Sequence, residues 1–343
     1  MATASPTISD WGYLKDIEAR YAFGRTLGSG GSGLVHVVRE RASGQEFACK
    51  SIRKDLRENN EALVRREVSV LLRLHGALNV ANLVAVYEDA SSVHLVMELC
   101  RGGELLARAR SSHYSERTVA SYMRAVLRTL AQCHAHRILH RDVKPENFLL
   151  LEDADDSVVQ AIDFGLAYPF DPTELPVKGV KLEGTPWYLA PEACSGRGLR
   201  PTCGRRASWR TSCSLATSPF VDFTHRHWRG ISGDAKHFVS VLLAKDAAAR
   251  PSAKQALQHR WLSGKRRDRQ RRHALDASVV QRLQRFSQGG LIRCRALERV
   301  AEDMLAMAPG QAPVGTADIS ARGARSFFRL DGDGPTGQWS DQG

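Results

Sequence analysis

The 343-residue chain predicts an α+β fold of two lobes, a small β-rich lobe with one helix over residues 21–100 and a larger, mainly helical lobe over 101–262. A helical C-terminal extension follows. Three observations carry this reading. A strand, a glycine-rich loop and a second strand open the small lobe, and a third strand is succeeded by a single helical stripe. A long amphipathic segment then opens the larger lobe. Behind it, between two apolar runs, lies the polar loop His140-Arg141-Asp142-Val143-Lys144-Pro145-Glu146-Asn147.

Composition narrows the class. At 43% apolar the chain can bury a sizeable core. No run of about 18 apolar residues occurs, so no transmembrane segment is expected. The first residues show no secretory pattern, and Ala2 stands where N-myristoylation needs glycine. The seven cysteines are scattered without a CxxC pair, which argues against zinc or a disulfide framework. They fit a reducing compartment, the cytoplasm or the nucleus. A net charge of +12 suggests an anionic partner, yet the excess sits in residues 197–210 and 265–272. No aromatic residue interleaves the second cluster, so nucleic acid is not expected as the partner.

Residues 1–20 read as a polar, flexible leader. From Tyr21 a strand runs into Leu27-Gly28-Ser29-Gly30-Gly31-Ser32-Gly33-Leu34-Val35. The glycine spacing alone also fits a dinucleotide-binding turn, but residues 34–38 continue as a strand and not a helix. Glycines there let backbone N–H groups approach a phosphate chain. Residues 46–52 alternate as a strand containing Ala48 and Lys50. Residues 60–74 place apolar groups at 63, 64, 68, 71 and 72, a helical stripe that also carries Glu67. Strands are expected at 83–87 and 93–98, ending in Met97, Glu98 and Cys100. A long helix is expected over 118–136, with His134 and His136 structural.

The loop at 140–147 supplies what phosphoryl transfer needs. A carboxylate accepts a hydroxyl proton, a cation meets the transferred phosphoryl group, and an amide oxygen holds Mg²⁺. Residues 158–162 form a further strand that ends in Asp163-Phe164-Gly165, and Ala190-Pro191-Glu192 follows. Read as H-R-D-x-K-P-E-N, D-F-G and A-P-E in this order, the chain resembles the Ser/Thr protein kinases. It is most similar to their calcium-dependent and calmodulin-dependent group.

The resemblance implies an ATP-dependent, calcium-regulated kinase that transfers the γ-phosphate to protein Ser/Thr hydroxyls. Asp142 would orient the hydroxyl and accept its proton, and Lys144 would stabilise transferred charge. ATP would be held by Leu27, Gly28, Ser29, Gly30, Gly31, Ser32, Gly33, Val35, Ala48, Lys50, Glu67, Met97, Glu98, Cys100 and Glu104. Asn147 and Asp163 would hold Mg²⁺. Arg141 marks the class whose activation segment is organised by a phosphate or an acidic side chain, and Arg250 would pair with Glu192.

The pattern departs from the family at about 200–232. An apolar helix with an Asp is expected there, the Asp falling at position 204. The chain instead has Cys203-Gly204-Arg205-Arg206-Ala207-Ser208-Trp209-Arg210, which is basic and lacks helical periodicity. Permitted codons for residues 206–216, read two bases later, encode Gly-Val-Val-Ala-Tyr-Ile-Leu-Leu-Thr-Gly, so a reading-frame slip is the expected cause. The alternative reading of function is therefore a catalytically impaired kinase-like binding protein, or the product of a faulty gene model with a broken large lobe.

Residues 263–305 form a basic amphipathic junction, with apolar residues at 275, 279, 280, 283 and 286 on one helical face. It resembles the autoinhibitory junction of calcium-dependent protein kinases, which implies calmodulin or a calmodulin-like domain as a partner and Ca²⁺ as a regulator. In the tail, 306–343, Asp331 and Asp333 resemble the start of an EF-hand loop. One extra residue near Pro335 and the missing bidentate Glu speak against tight Ca²⁺ binding there.

Overall fold

The computed structural model describes residues 10–30, 33–55, 60–105, 115–154, 157–173, 231–244 and 249–263. The expectations placed on Gly31, Ser32, Glu192, the break at 200–230, the junction from 264 and the tail carboxylates Asp331 and Asp333 lie outside these residues.

A one-turn helix α1 (Ile17–Arg20) leads into a hairpin of β1 (Tyr21–Gly30) and β2 (Gly33–Glu40), followed by β3 (Glu46–Arg53) and helix α2 (Asn60–Arg73). Strands β4 (Leu83–Glu88) and β5 (Ser92–Glu98) complete a five-stranded antiparallel sheet of order β1-β2-β3-β5-β4. Register places Lys50 between Val35 and Leu95, and Ala48 between Val37 and Met97. One face of this sheet is closed by Tyr21, whose ring meets Phe47 and Tyr87 edge-on at 5.9 Å each. The other face packs on α2, which buries Val64, Val68, Val70 and Leu71.

The larger lobe begins with α3 (Glu116–Ala135), two residues earlier than its apolar stripe implies. The reason is a cap: Ser115 Oγ accepts the Thr118 N–H at 3.1 Å, satisfying a donor that a helix start leaves unpaired. Short ladders follow: β6 (Ile138–Leu139) pairs with β9 (Tyr168–Pro169), and β7 (Phe148–Leu150) with β8 (Val159–Ala161). Helices α4 (Gly233–Leu242), α5 (Ala253–Ala256) and α6 (Arg260–Ser263) close the described part. Ser232 caps α4, and Ser252 with Gln255 forms a capping box on α5. A single apolar core runs from Val64 and Val68 through Leu127 and Leu130 to Phe238 and Leu262. Each fully buried Leu of that core contributes about 1.5–3 kcal/mol. Among the described residues no helix is long and apolar enough to cross a membrane.

The reading of residues 1–20 as a flexible leader does not hold from residue 10 onward. Trp11 and Ile17 are buried, and Leu14 pairs with Tyr87 as a one-residue parallel bridge. The backbone N–H groups of Trp11 and Tyr13 and the Lys15 ammonium converge instead on one carboxylate, Glu88.

The loop between α2 and β4 belongs mechanically to the larger lobe. Asn79 lies against α3 and β8: its Nδ2 donates to Val159 O at 2.8 Å, and its carbonyl accepts from Thr129 Oγ1 and Ala161 N at 2.9 Å. Gln132 brackets Leu78 by bonds to both its N–H and its carbonyl.

Near the end of α3, burial pulls the His134 imidazole down to about 4, with the nearby His140 adding to the effect. The unfolded chain therefore takes up a proton near pH 6.5 that the folded chain refuses until about pH 4. His134 stability is complete above pH 6.5 and falls as pH drops toward 4, by at most roughly 1.4 kcal/mol per pH unit. Urea unfolding at pH 7, 6 and 5 should show His134→Gln losing less stability than the parent across this window; parallel loss in both would exclude His134 as the source.

Candidate nucleotide and catalytic site

Lys50 enters from the middle of β3, where its neighbours in register hold it beneath the glycine hairpin. It is 5% exposed, and its ammonium donates to Glu67 Oε1 at 2.7 Å and to Asp163 Oδ1 at 3.1 Å. Burial alone would push the ammonium down, but the Asp163 and Glu67 carboxylates outweigh it and hold Lys50 protonated. Burial also acts against the Asp163 carboxylate, yet Lys50 and the Gly165 N–H bring it down to about 2. For Glu67 burial wins, lifting its carboxyl above the usual range with Lys50 offsetting only part. A Cβ at Gly165 would stand 3.2 Å from Asp163 Oδ1, a tight approach, and 3.5 Å from Lys50 Nζ, an ordinary contact.

The catalytic-type loop sits between β6 and β7. Asn147 ends a single 3-10 turn, Pro145–Asn147. Its Nδ2 donates to the Asp142 carbonyl at 2.7 Å and to Asp142 Oδ2 at 3.1 Å. Lys144 Nζ lies 2.8 Å from the same Oδ2. The Ile162 N–H donates to Asn147 O at 3.1 Å, tying this loop to the segment that carries Asp163. Asp142, Lys144, Asn147, Asp163 and Lys50 are thereby gathered into one connected polar set, lying between the two lobes.

The apolar side of the site is Val37, Ala48 and Leu99, with Val35 packed on them. Met97 is buried behind, while Leu27 stays exposed. The chain crosses between lobes through Glu98 and Cys100: the Glu98 N–H donates to Asn82 O at 3.0 Å. Cys100 has its thiol pushed up to about 12, by burial first and then by Glu98 and Glu152. Glu104 is exposed and bridges to Leu149. In the glycine hairpin Gly28 faces open space, whereas Gly33 has φ +131° and a Cβ there would meet Ser51 O at 2.4 Å. Gly33 is thus required by the neighbouring strand as well as by any ligand.

Three features of the site escape a reading from motifs. His140 packs its ring on Phe164 at 4.9 Å and on Phe148 at 6.2 Å, joining the loop to the Asp163 segment through the core. Leu99, which the resemblance places in the 98–100 hinge, also joins the apolar wall. Arg66, next to Glu67, and Arg141 both stand over the Tyr168 ring, at 5.4 and 5.8 Å. The positive φ of Arg141, 69°, turns the chain so that Arg141 and Asp142 serve different partners. The basic residue beside Glu67 was visible in the sequence, but its convergence with residues 141 and 168 is long-range.

A family model for a protein kinase domain matches residues 21–216. Calcium-dependent protein kinase 17 of Arabidopsis thaliana is 37% identical over 80% of this chain and 54% of its own length. Calcium-dependent protein kinase 1 of Oryza sativa subsp. japonica is 36% identical over 93% of this chain and 62% of its own length. The chain therefore spans somewhat more than half the length of these curated relatives. The twitchin kinase region from C. elegans has a similar fold, with a TM-score of 0.67 at 24% identity, over 84% of this chain and 54% of that one.

Proposed function

Because the chain belongs to the protein kinase family, we propose that it transfers the γ-phosphoryl group of Mg·ATP to Ser or Thr hydroxyls of protein substrates, under calcium control. The observation that carries this is the pairing of two assembled halves. Lys50 is already fixed between Glu67 and Asp163, and Asp142 is already bonded to Lys144 and Asn147. A site that needs no rearrangement to position phosphates supports turnover rather than a purely scaffolding role.

The donor set fits Mg²⁺. Asn147 spends its amide nitrogen on Asp142, which turns its side-chain oxygen toward a ligand role. Among the described contacts of Asp163, those to Lys50 and to the Gly165 N–H both fall on Oδ1, leaving Oδ2 for a cation. One amide and one carboxylate oxygen, completed by phosphate oxygens and water, suit a small hard cation. When bound, Mg²⁺ would neutralise charge on the β- and γ-phosphates.

The residues themselves do the rest. The Lys50 ammonium meets the α- and β-phosphates, with Glu67 keeping it from swinging away. Val35, Ala48 and Leu99 offer an apolar slot for the adenine ring, and backbone groups at 98–100 meet its edge. The Asp142 carboxylate takes the acceptor's proton as the acceptor oxygen bonds to the γ-phosphorus and the bond from that phosphorus to the β,γ-bridging oxygen breaks, with ADP leaving, and Lys144 beside it steadies the charge on the group in transit. Calcium control is supported by the names of the relatives and by the basic amphipathic pattern of residues 263–305.

The test is phosphate transfer by the full chain. With Mg·ATP and a basic protein acceptor, phosphoserine or phosphothreonine should form, and Mg·ATP should raise the melting temperature. Calcium-loaded calmodulin should increase the rate by binding 263–305. Neither transfer nor stabilisation by Mg·ATP would overturn the kinase reading; transfer indifferent to calcium and calmodulin would overturn only the regulatory half.

A further inference from the structure

Residues 10–15 make a set of contacts that no nucleotide or substrate accounts for. Glu88, at the end of β4, is 2% exposed and is approached from four directions. The Trp11 N–H donates to both of its carboxylate oxygens at 3.1 and 3.0 Å, and the Tyr13 N–H to Oε1 at 3.0 Å. Lys15 and Lys54 add ammonium contacts at 2.7 and 2.6 Å. Backbone bonds between Leu14 and residues 86 and 88 complete the attachment. The segment is thus anchored on the sheet as firmly as a strand.

Its other side is turned to α2. Arg65 Nη2 donates to the Trp11 carbonyl at 2.8 Å, and the Arg65 guanidinium stands 5.8 Å over the Tyr13 ring. The Trp11 side chain is 5% exposed, within the core that also holds Val64 and Val68 of α2. At 100° per residue, Arg65 and Glu67 lie on nearly opposite sides of this helix. The outer side is held by the strap, and the inner side by Lys50. The helix ends are tied elsewhere, Asn60 to the Arg53 carbonyl and Arg73 to the His136 carbonyl.

We propose that residues 10–15 are a positioning strap for α2: by holding Arg65 against the sheet edge, they keep Glu67 on Lys50 and so set the affinity of the nucleotide site. The consequence for nucleotide rests on the phosphoryl-transfer reading above; the mechanical part does not. Arg65 and Trp11 are positioning residues, since neither touches the site. A merely structural role would loosen the whole small lobe. A strap loosens α2 selectively, and its effect on nucleotide runs through Glu67.

The experiment uses the full chain with Arg65→Met, which keeps helix propensity and the apolar stem, and with Trp11→Ala and Trp11→Phe. Hydrogen exchange of α2 amides should accelerate about tenfold in Arg65→Met and Trp11→Ala, with β5 unchanged and Trp11→Phe in between. Mg·ATP affinity should fall about fivefold in Arg65→Met, and that loss should vanish when Glu67→Gln is already present. Unchanged α2 exchange in Arg65→Met would overturn the strap, as would equal acceleration in β5. An affinity loss of the same size with and without Glu67 would overturn its link to the site. Arg65 also pairs with Glu61 within α2 at 2.7 Å, so should Trp11→Ala fail to fold, Arg65→Met is read against Glu61→Gln, which removes only that pair, and equal α2 exchange in the two would overturn the strap. Should the parent chain bind no Mg·ATP, the kinase reading fails while α2 exchange still judges the strap.

Discussion

Asp163→Asn in the full chain is expected to lower Mg·ATP-dependent phosphoryl transfer by about 10³-fold. The substitution is nearly isosteric, so the packing around Gly165 and Lys50 survives. What is lost is charge. The Asp163 carboxylate, held down to about 2, is ionised throughout the working range and is the anionic oxygen donor assigned to Mg²⁺. It is also one of two carboxylates that fix Lys50. The neutral amide offers the cation and Lys50 only a dipole in place of a charge, and its N–H₂ cannot accept from the ammonium. A kinetic assay at saturating acceptor checks this, with melting to show that the variant is folded. Turnover within tenfold of the parent would sink the assignment of Asp163, and with it the Mg²⁺ site described here.

The second large effect concerns folding. Glu116, in the first turn of α3, is 7% exposed and gathers donors from two distant parts of the chain. Ser232 N donates at 3.1 Å and its hydroxyl also bonds the carboxylate, while Trp261 Nε1 donates at 2.7 Å. Ser232 is at the same time the cap of α4, and Trp261 packs against Phe238 with ring centroids 4.8 Å apart and planes tilted by 36°. Glu116→Ala strands several buried donors at once, a loss of about 3–5 kcal/mol. For a chain of this size that is roughly 10 °C in melting temperature. Trp261→Phe leaves the Ser232 bonds in place and should cost less than half as much. If Glu116→Ala melts within 2 °C of the parent (well below the roughly 10 °C drop expected), the carboxylate is not what joins these helices.

Much of the site was legible because its elements are local in sequence. The glycine spacing, the alternation around Lys50, the stripe around Glu67 and the 140–147 loop each declare themselves within about ten residues. Periodicity located α2 and α3, the latter short by two residues at its Ser115 cap, whereas α1, α4, α5 and α6 are not read from it. The partnerships that stayed hidden are those between segments of no special pattern. Nothing near Glu88 announces that residues 11 and 13 will spend their N–H groups on it, 77 and 75 positions away. Polar residues at 10–16 look like a solvated leader until their shared acceptor is seen. Glu116 reads as an ordinary helix-start acid, because Ser232 and Trp261 lie 116 and 145 residues along the chain. Arg66 reads as one more surface cation until Tyr168 brings it beside Arg141.

The fixing of Asn79 to the larger lobe has a mechanical corollary. Asn79 itself has a positive φ, 64°, and sits where the small lobe's chain is bolted to α3 and β8. The C-terminal end of α2 therefore stays with the larger lobe, while its N-terminal end is tied to the sheet through Asn60. Any rotation of the sheet then works α2 as a lever about a fulcrum near residue 79. Because Glu67 lies partway along the arm, a small change of angle becomes a change in its distance from Lys50. A change of angle between the sheet and the larger lobe therefore bears on the Glu67–Lys50 ion pair.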